Sequence, residues 1–237
     1  MNADLHKAQL HILDSLRRHK TQSFSQLMKP LGMESDAFKF HLRKTCDLGL
    51  TIKTADNLYT LTPKGKEFAN KLSRATRTPR QQPKLSLLIL ASRQNLNGEV
   101  EYLSQKRLRQ PFYDYWSGTI GGPILWGESY EDAAARELRK QTGLTANRFE
   151  VRLFYRQRDY NVNSQSILED KLFVVLQATG ITGELRNDWP GGQNAWLTLT
   201  QLETTPRAFK TLQHILAAIE QQRQHVARES HYTSEQY

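Results

Sequence analysis

The chain of 237 residues carries 33 Lys and Arg against 24 Asp and Glu, a net charge of +9, at a length that suits one large or two ordinary domains. The excess lies at one end: residues 1–84 hold 16 basic and 7 acidic side chains, whereas 85–237 hold 17 of each. That split excludes a uniformly basic surface and predicts two parts with different partners. The longest nearly apolar run, Leu85 to Ala91, is far short of the roughly 20 residues that span a bilayer. The opening MNADLHKAQL lacks the basic start and apolar stretch of a secretory signal. One cysteine, Cys46, allows no intrachain disulfide and has no His or Cys at metal-ligand spacing. A cytoplasmic setting and a small buried side chain are therefore expected.

In chain order, residues 3–19 predict an amphipathic helix with Leu5, Leu10, Ile12, Leu13 and Leu16 on one side. A second helix is predicted at about 23–30, capped by Ser23 and stopped by Pro30, Leu31 and Gly32. Ser35 is read as the cap of a third, with Phe38 and Leu42 facing inward and Gly49 at its end. LTIK (50–53) and LYTLT (58–62) flank a turn bearing Asp56 and Asn57, a hairpin pattern, and PKGKEFANKL supplies a fourth helix.

This order, and the run FHLRKTCDLGLTIK…NLYTLTPKGKEFANKL within it, resembles bacterial winged helix-turn-helix regulators over about residues 5–75. Thr45 departs from that pattern, since a leucine is usual there, and a looser corner is expected. The resemblance implies binding to double-stranded DNA, with one helix in the major groove. Asp36, Lys39, Phe40, Arg43 and Lys44 would then face the duplex, with Lys53 on the wing. Arg74, Arg77, Arg80 and Lys84 would add sequence-independent phosphate contacts. Ordinary solvated charges on a dimerising hairpin are the plainer reading. His6, His11, His19 and His41 have no paired acid or nucleophile pattern and are read as surface or core filling.

TRTPRQQPK (76–84), with Pro79 and Pro83, is read as a linker. LSLLILA (85–91) suits a buried strand, with VEYLSQKRL (100–108) as its hairpin partner beyond the turn NLNGE. WSGTIGGPILWGESYEDAAARELRKQTGL (116–144) then forms a glycine-rich loop feeding a helix, with a Ser129–Asp132 capping box, an Ala133, Ala134, Leu138 stripe and Gly143 at its end. Backbone N–H groups at such a loop suit phosphate oxygens.

The spacing of Gly122, Glu128, Arg136-Glu137-Leu138 and Gly143-Leu144 resembles the Nudix box, G-x5-E-x7-R-E-U-x-E-E-x-G-U. DKLFVVLQA (170–178) and GELRNDWPGGQNAWLTLTQL, with Trp196, are similar to that family's later strands, so the likeness spans about 85–220. It implies an α/β/α sandwich with a mixed sheet and a carboxylate-bound Mg2+ that polarises a diphosphate. Glu128 and Arg136 would organise the loop and helix. Two of the three metal-binding glutamates are replaced, however, by Lys140 and Gln141, leaving Glu137 as the one metal ligand and the one catalytic residue if the domain is active.

Lys140 stands three residues after Glu137 on one helix face and suits either a direct phosphate contact or simple neutralisation of Glu137. A ligand site at Gly121, Gly122, Glu128, Arg136, Glu137 and Lys140 is expected. Glu169 and Asp170 could rebuild a metal site with Glu137, although surface positions suit them better. QRQHVARESHYTSEQY lacks apolar periodicity and is read as a frayed tail.

The sequence therefore predicts an α+β chain: a winged helix-turn-helix domain at 1–75, a linker at 76–84, a Nudix-like domain at 85–221 and a flexible tail at 222–237. The expected function is a homodimeric, DNA-binding transcriptional regulator that senses a nucleotide-type or phosphate-bearing metabolite without hydrolysing it. Known Nudix-related regulators place the two domains in the reverse order. An active hydrolase of nucleoside diphosphate derivatives, dependent on Mg2+, and a scaffold whose first domain binds protein are the alternatives.

Overall fold

The computed structural model describes residues 5–73 and 79–237, and the chain divides into two compact units, Met1–Gln81 and Gln82–Tyr237. Arg74 and Arg77 lie outside the described residues. Among the described residues, no helix is long and apolar enough to cross a membrane.

The first unit opens with α1 (Lys7–Arg18), capped by His6, whose Nδ1 accepts the Ala8 amide at 3.2 Å while Gln9 returns a bond to the His6 amide. α2 (Phe24–Met28) is capped by Ser23 and runs into a turn of 3-10 helix at Lys29–Leu31, which ends at Gly32. α3 (Ser35–Asp47) follows. Here Glu34, not Ser35, occupies the cap position, and Ser35 is the first helical residue, because the Phe38 amide already bonds the Glu34 carbonyl. β1 (Thr51–Lys53) and β2 (Tyr59–Leu61) pair antiparallel around a turn in which Asn57 takes a left-handed φ of 61°. α4 (Pro63–Asn70) starts from a Thr62 cap.

Ile12, Leu13, Leu16, Leu27, Phe38, Leu42, Leu50 and Leu61 close one core, each contributing about 1.5–3 kcal/mol by leaving water. The looser corner expected at Thr45 is not found. Thr45 is fully buried, and its hydroxyl donates to the Leu42 carbonyl and meets Thr51 Oγ1 at 2.7 Å, so the polar atom is satisfied within the core. Cys46 is half-buried, with Sγ 3.3 Å from the Thr51 hydroxyl.

The second unit is built on one large mixed sheet. β3 (Lys84–Gln94) runs parallel to β8 (Ile167–Thr182), and its other edge pairs first with β6 (Ile120–Pro123) and then, at Ser92–Gln94, with β4 (Val100–Arg107). β4 continues to β5 (Trp116–Ser117) and to β10 (Gly192–Thr198), which carries β9 (Asp188–Trp189). β7 (Thr145–Asn161) lies antiparallel to β8.

Alternation along β3 divides the core into two layers. Leu87 and Ile89 face α5 (Tyr130–Thr142), while Leu88 and Leu90 face α6 (Leu199–Thr204) and α7 (Thr211–Glu220). The reading of 222–237 as a frayed tail is corrected. His225–Tyr232 forms β11, which runs parallel to β7 along the sheet edge in the register His225↔Phe154 to Tyr232↔Asn161. Main-chain hydrogen bonds hold it, with Val226 as its buried apolar anchor, so it needs no apolar alternation.

Candidate functional site

α5 is fixed at both ends by its own sequence. Ser129 Oγ accepts the Asp132 amide, and Gly143 closes the helix at φ 77°, a conformation open to glycine. Ahead of it, Glu128 and Arg136 form a two-pronged ion pair at 2.6 and 2.7 Å, and Arg136 also donates to the Pro123 carbonyl. That pairing holds the Glu128 carboxyl down at about 2, chiefly through the Arg136 hydrogen bond. Both residues thus tie the loop to the helix.

Glu137 is buried beneath Gly122. A Cβ on Gly122 would lie within 2.8 Å of Glu137 Oε2 and 2.7 Å of its Cδ, so glycine is required there. One carboxylate oxygen receives Arg136 and faces Lys140 Nζ at 3.8 Å; the other accepts Gln141 Nε2 at 2.6 Å. Gln141 is itself buried. Its amide also donates to the Gly121 carbonyl and accepts from Gln105, which in turn donates to Asn194, and Asn194 returns a bond to the Gln141 carbonyl. Lys140 points to solvent, 60% exposed.

A Mg2+ ion requires hard oxygen ligands. Here both oxygens of the surviving carboxylate are spent on N–H donors, an ammonium stands alongside, and the second ligand position is an amide locked into a closed network. The donor set does not fit the metal. Glu169 and Asp170 do not repair it, since Asp170 pairs with Arg156, and no cluster of three His, Cys, Asp or Glu able to hold a metal exists among the described residues.

A cavity of about 390 Å³ opens on the sheet face that α5 does not cover, within the range of small-ligand pockets. Leu88, Tyr155 and Phe173 form its floor, with Phe112, Phe209, His214 and Tyr232 around it. Gly121 and Gly122, expected in a loop, reach it from strand β6, whereas Glu128, Arg136, Glu137 and Lys140 do not line it. Glu169, expected at the surface, is buried in its wall. Lys84 donates to it at 2.7 Å, Tyr237 Oη at 3.1 Å, and Lys171 stands at 3.5 Å. Burial raises its affinity for a proton, but these partners outweigh burial and keep it below the usual carboxylate range. Lys84, expected on phosphates, donates to this wall while its side chain stays 67% exposed.

Lys171 also pairs with buried Asp159 at 3.0 Å, and Gln157 links Asp159 to Ser230 and Tyr155. Tyr155 meets His214 Nδ1 at 2.9 Å. Burial, with Arg228 and Lys210 nearby, pushes His214 below the ordinary histidine range and favours its neutral form. Nothing local in the sequence marks this row, because it is assembled from β3, β7, β8, α7 and β11.

In the first unit, Asp36, Lys39, Phe40, Arg43, Lys44 and Lys53 are all exposed. Phe40, 64% exposed, is the one large apolar group among them and packs edge-on to His41. Arg80 instead donates to the Asn70 carbonyl at the end of α4.

Residues 86–218 match the family model described as NUDIX domain. Among solved structures, the NUDIX domain of Shewanella oneidensis NrtR, complexed with ADP ribose, is similar at a TM-score of 0.50 and 20% identity, over 65% of this chain and 96% of that one. A MutT protein from Bacillus halodurans has a TM-score of 0.49 and 18% identity, over 65% of this chain and 93% of that one. The MutT NUDIX hydrolase of Burkholderia pseudomallei has a TM-score of 0.42 and 23% identity, over 60% and 98%. No curated protein matches the chain.

Proposed function

Because the chain belongs to the NUDIX domain family through residues 86–218, we propose that it is a DNA-binding transcriptional regulator whose NUDIX domain senses a phosphate-bearing metabolite without hydrolysing it. One observation carries the non-hydrolytic half: Gln141 replaces a metal carboxylate and donates to the one that remains, Glu137. Charge gathered on a leaving phosphate has no metal to meet there, and a water has none to activate it. The cavity supports binding without that metal, because none of the box positions Glu137, Lys140 and Gln141 lines it.

The DNA-binding half rests on the first unit. We read it as a winged helix, with α3 presenting Asp36, Lys39, Phe40, Arg43 and Lys44 to the duplex and β1 presenting Lys53. The confinement of the basic excess to residues 1–84 supports this. A homodimer would match two-fold half-sites. ADP ribose, present in the Shewanella structure, is the first ligand to try.

The test has two arms. Duplex DNA should bind with an affinity that falls steeply with salt, and Lys39→Ala or Arg43→Ala should each lower the salt slope by about one. Incubation with Mg2+ or Mn2+ and nucleoside diphosphate derivatives should give no turnover. Turnover abolished by Glu137→Gln would replace this reading with hydrolysis, and salt-insensitive or absent DNA binding would favour a protein scaffold.

A further inference from the structure

The charges around the cavity do not cancel. Its two carboxylates are already paired, Glu169 with Lys84 and Lys171, and Asp159 with Lys171. Three lining cations remain: Arg107, Arg109 and Lys210. Among the described residues, none of the three has a carboxylate within ion-pair distance. Arg107 spends Nε and Nη2 on the Pro111 carbonyl at 3.1 and 3.0 Å, which fixes the guanidinium against the wall and leaves Nη1 with no hydrogen-bond partner among the described residues. Arg109 lies over the Trp189 ring at 5.9 Å. The two guanidiniums repel each other, and burial together with Arg109 lowers Arg107 from the ordinary arginine range, against the opposing attraction of Glu169. A half-buried cation held beside a second one, and balanced only in part by Glu169, whose charge is already shared with Lys84 and Lys171, is stabilised when a further anion arrives.

The rest of the polar lining is different in kind. Glu169, Asp159, Gln157 and Ser230 present a row of acceptors and donors already held in place by their neighbours, which suits hydroxyl groups. Phe112 and Phe209 add aromatic faces.

We propose that Arg107 and Arg109 form the anion subsite of this domain, so that the ligand's phosphate sits on β4 and its following loop and not on Lys140. The ligand class is then a phosphorylated sugar or nucleotide: an anion at one wall, hydroxyls along the Glu169–Asp159 row, and a planar group against the aromatic rings. This deepens the sensing reading and rests on it.

Calorimetry on the full chain with ADP ribose, AMP, ribose 5-phosphate and uncharged adenosine tests the assignment. Loss of one charge-assisted contact corresponds to roughly 10- to 100-fold in affinity. AMP or ADP ribose should therefore bind at least about 10-fold tighter than adenosine, and Arg109→Ala should remove that margin. Arg107→Met should do the same, with its fold checked by circular dichroism, and Lys140→Ala should leave it intact. The exposed Arg109 keeps the test decisive if Arg107→Met fails to fold. Adenosine binding as tightly as AMP overturns the subsite while leaving ligand sensing standing. So does a phosphate-dependent affinity that Lys140→Ala abolishes and Arg109→Ala spares. Absence of binding by all four compounds overturns both the subsite and the sensing reading.

Discussion

Gly122 and Glu137 illustrate how one residue dictates another. Gly122→Ala puts a methyl group against a buried carboxylate that already holds Arg136 and Gln141, so stability should fall by about 1–3 kcal/mol in chemical denaturation. Gln141→Glu is the sharper experiment, since it restores a carboxylate that the family's box expects. In this chain the change removes the donors to Glu137 and Gly121 and sets two buried carboxylates side by side. A loss of about 3 kcal/mol or more is expected by the same measurement, with no gain of metal-dependent turnover. The exchange of carboxylate for amide was legible in the sequence. Its structural commitment was not, because Gln105 and Asn194 lie 36 and 53 residues away along the chain.

At the scale of elements, the helices of the first unit were legible from apolar spacing and, for α2, from the Ser23 cap, whereas α3 starts from Glu34 with no side-chain cap, one residue ahead of the cap that the sequence suggests. β11 was not. Its side chains alternate weakly, and its stability comes from a parallel ladder with β7, a partner some 70 residues earlier. Amides of β11 that bond to β7 should therefore exchange slowly with deuterium, whereas a frayed tail would exchange at once. The junction of α1 with α3 has a pH dependence of its own. His6 and His41 stack with ring centroids 4.2 Å apart, and burial, helped by His6, lowers His41 from the ordinary histidine range. A lowered histidine contributes stability above its unfolded-state range and loses it as pH falls through that range. The melting temperature of the first unit should accordingly drop on acidification from neutral pH, and His41→Gln should flatten that dependence.

Across the whole molecule, the distribution of charge and the box spacing were both readable because each is local in sequence. The cavity is the reverse case. Its walls come from seven strands, the helix α7 and the connecting segments between them, so its two-signed lining emerges only once the sheet has formed. That separation explains why the expected ligand site centred on α5, while the cavity opens on the face that α5 does not cover.

Lys84 belongs to both parts of this description. It is the third residue beyond the boundary between the two units, the first residue of β3, and the donor that grips Glu169 in the cavity wall. The first strand of the second unit therefore begins at a side chain that any occupant of the cavity must accommodate. A ligand that competes with Glu169 for that ammonium would act at the first rung of the β3–β8 ladder, where Lys84 stands beside Lys171.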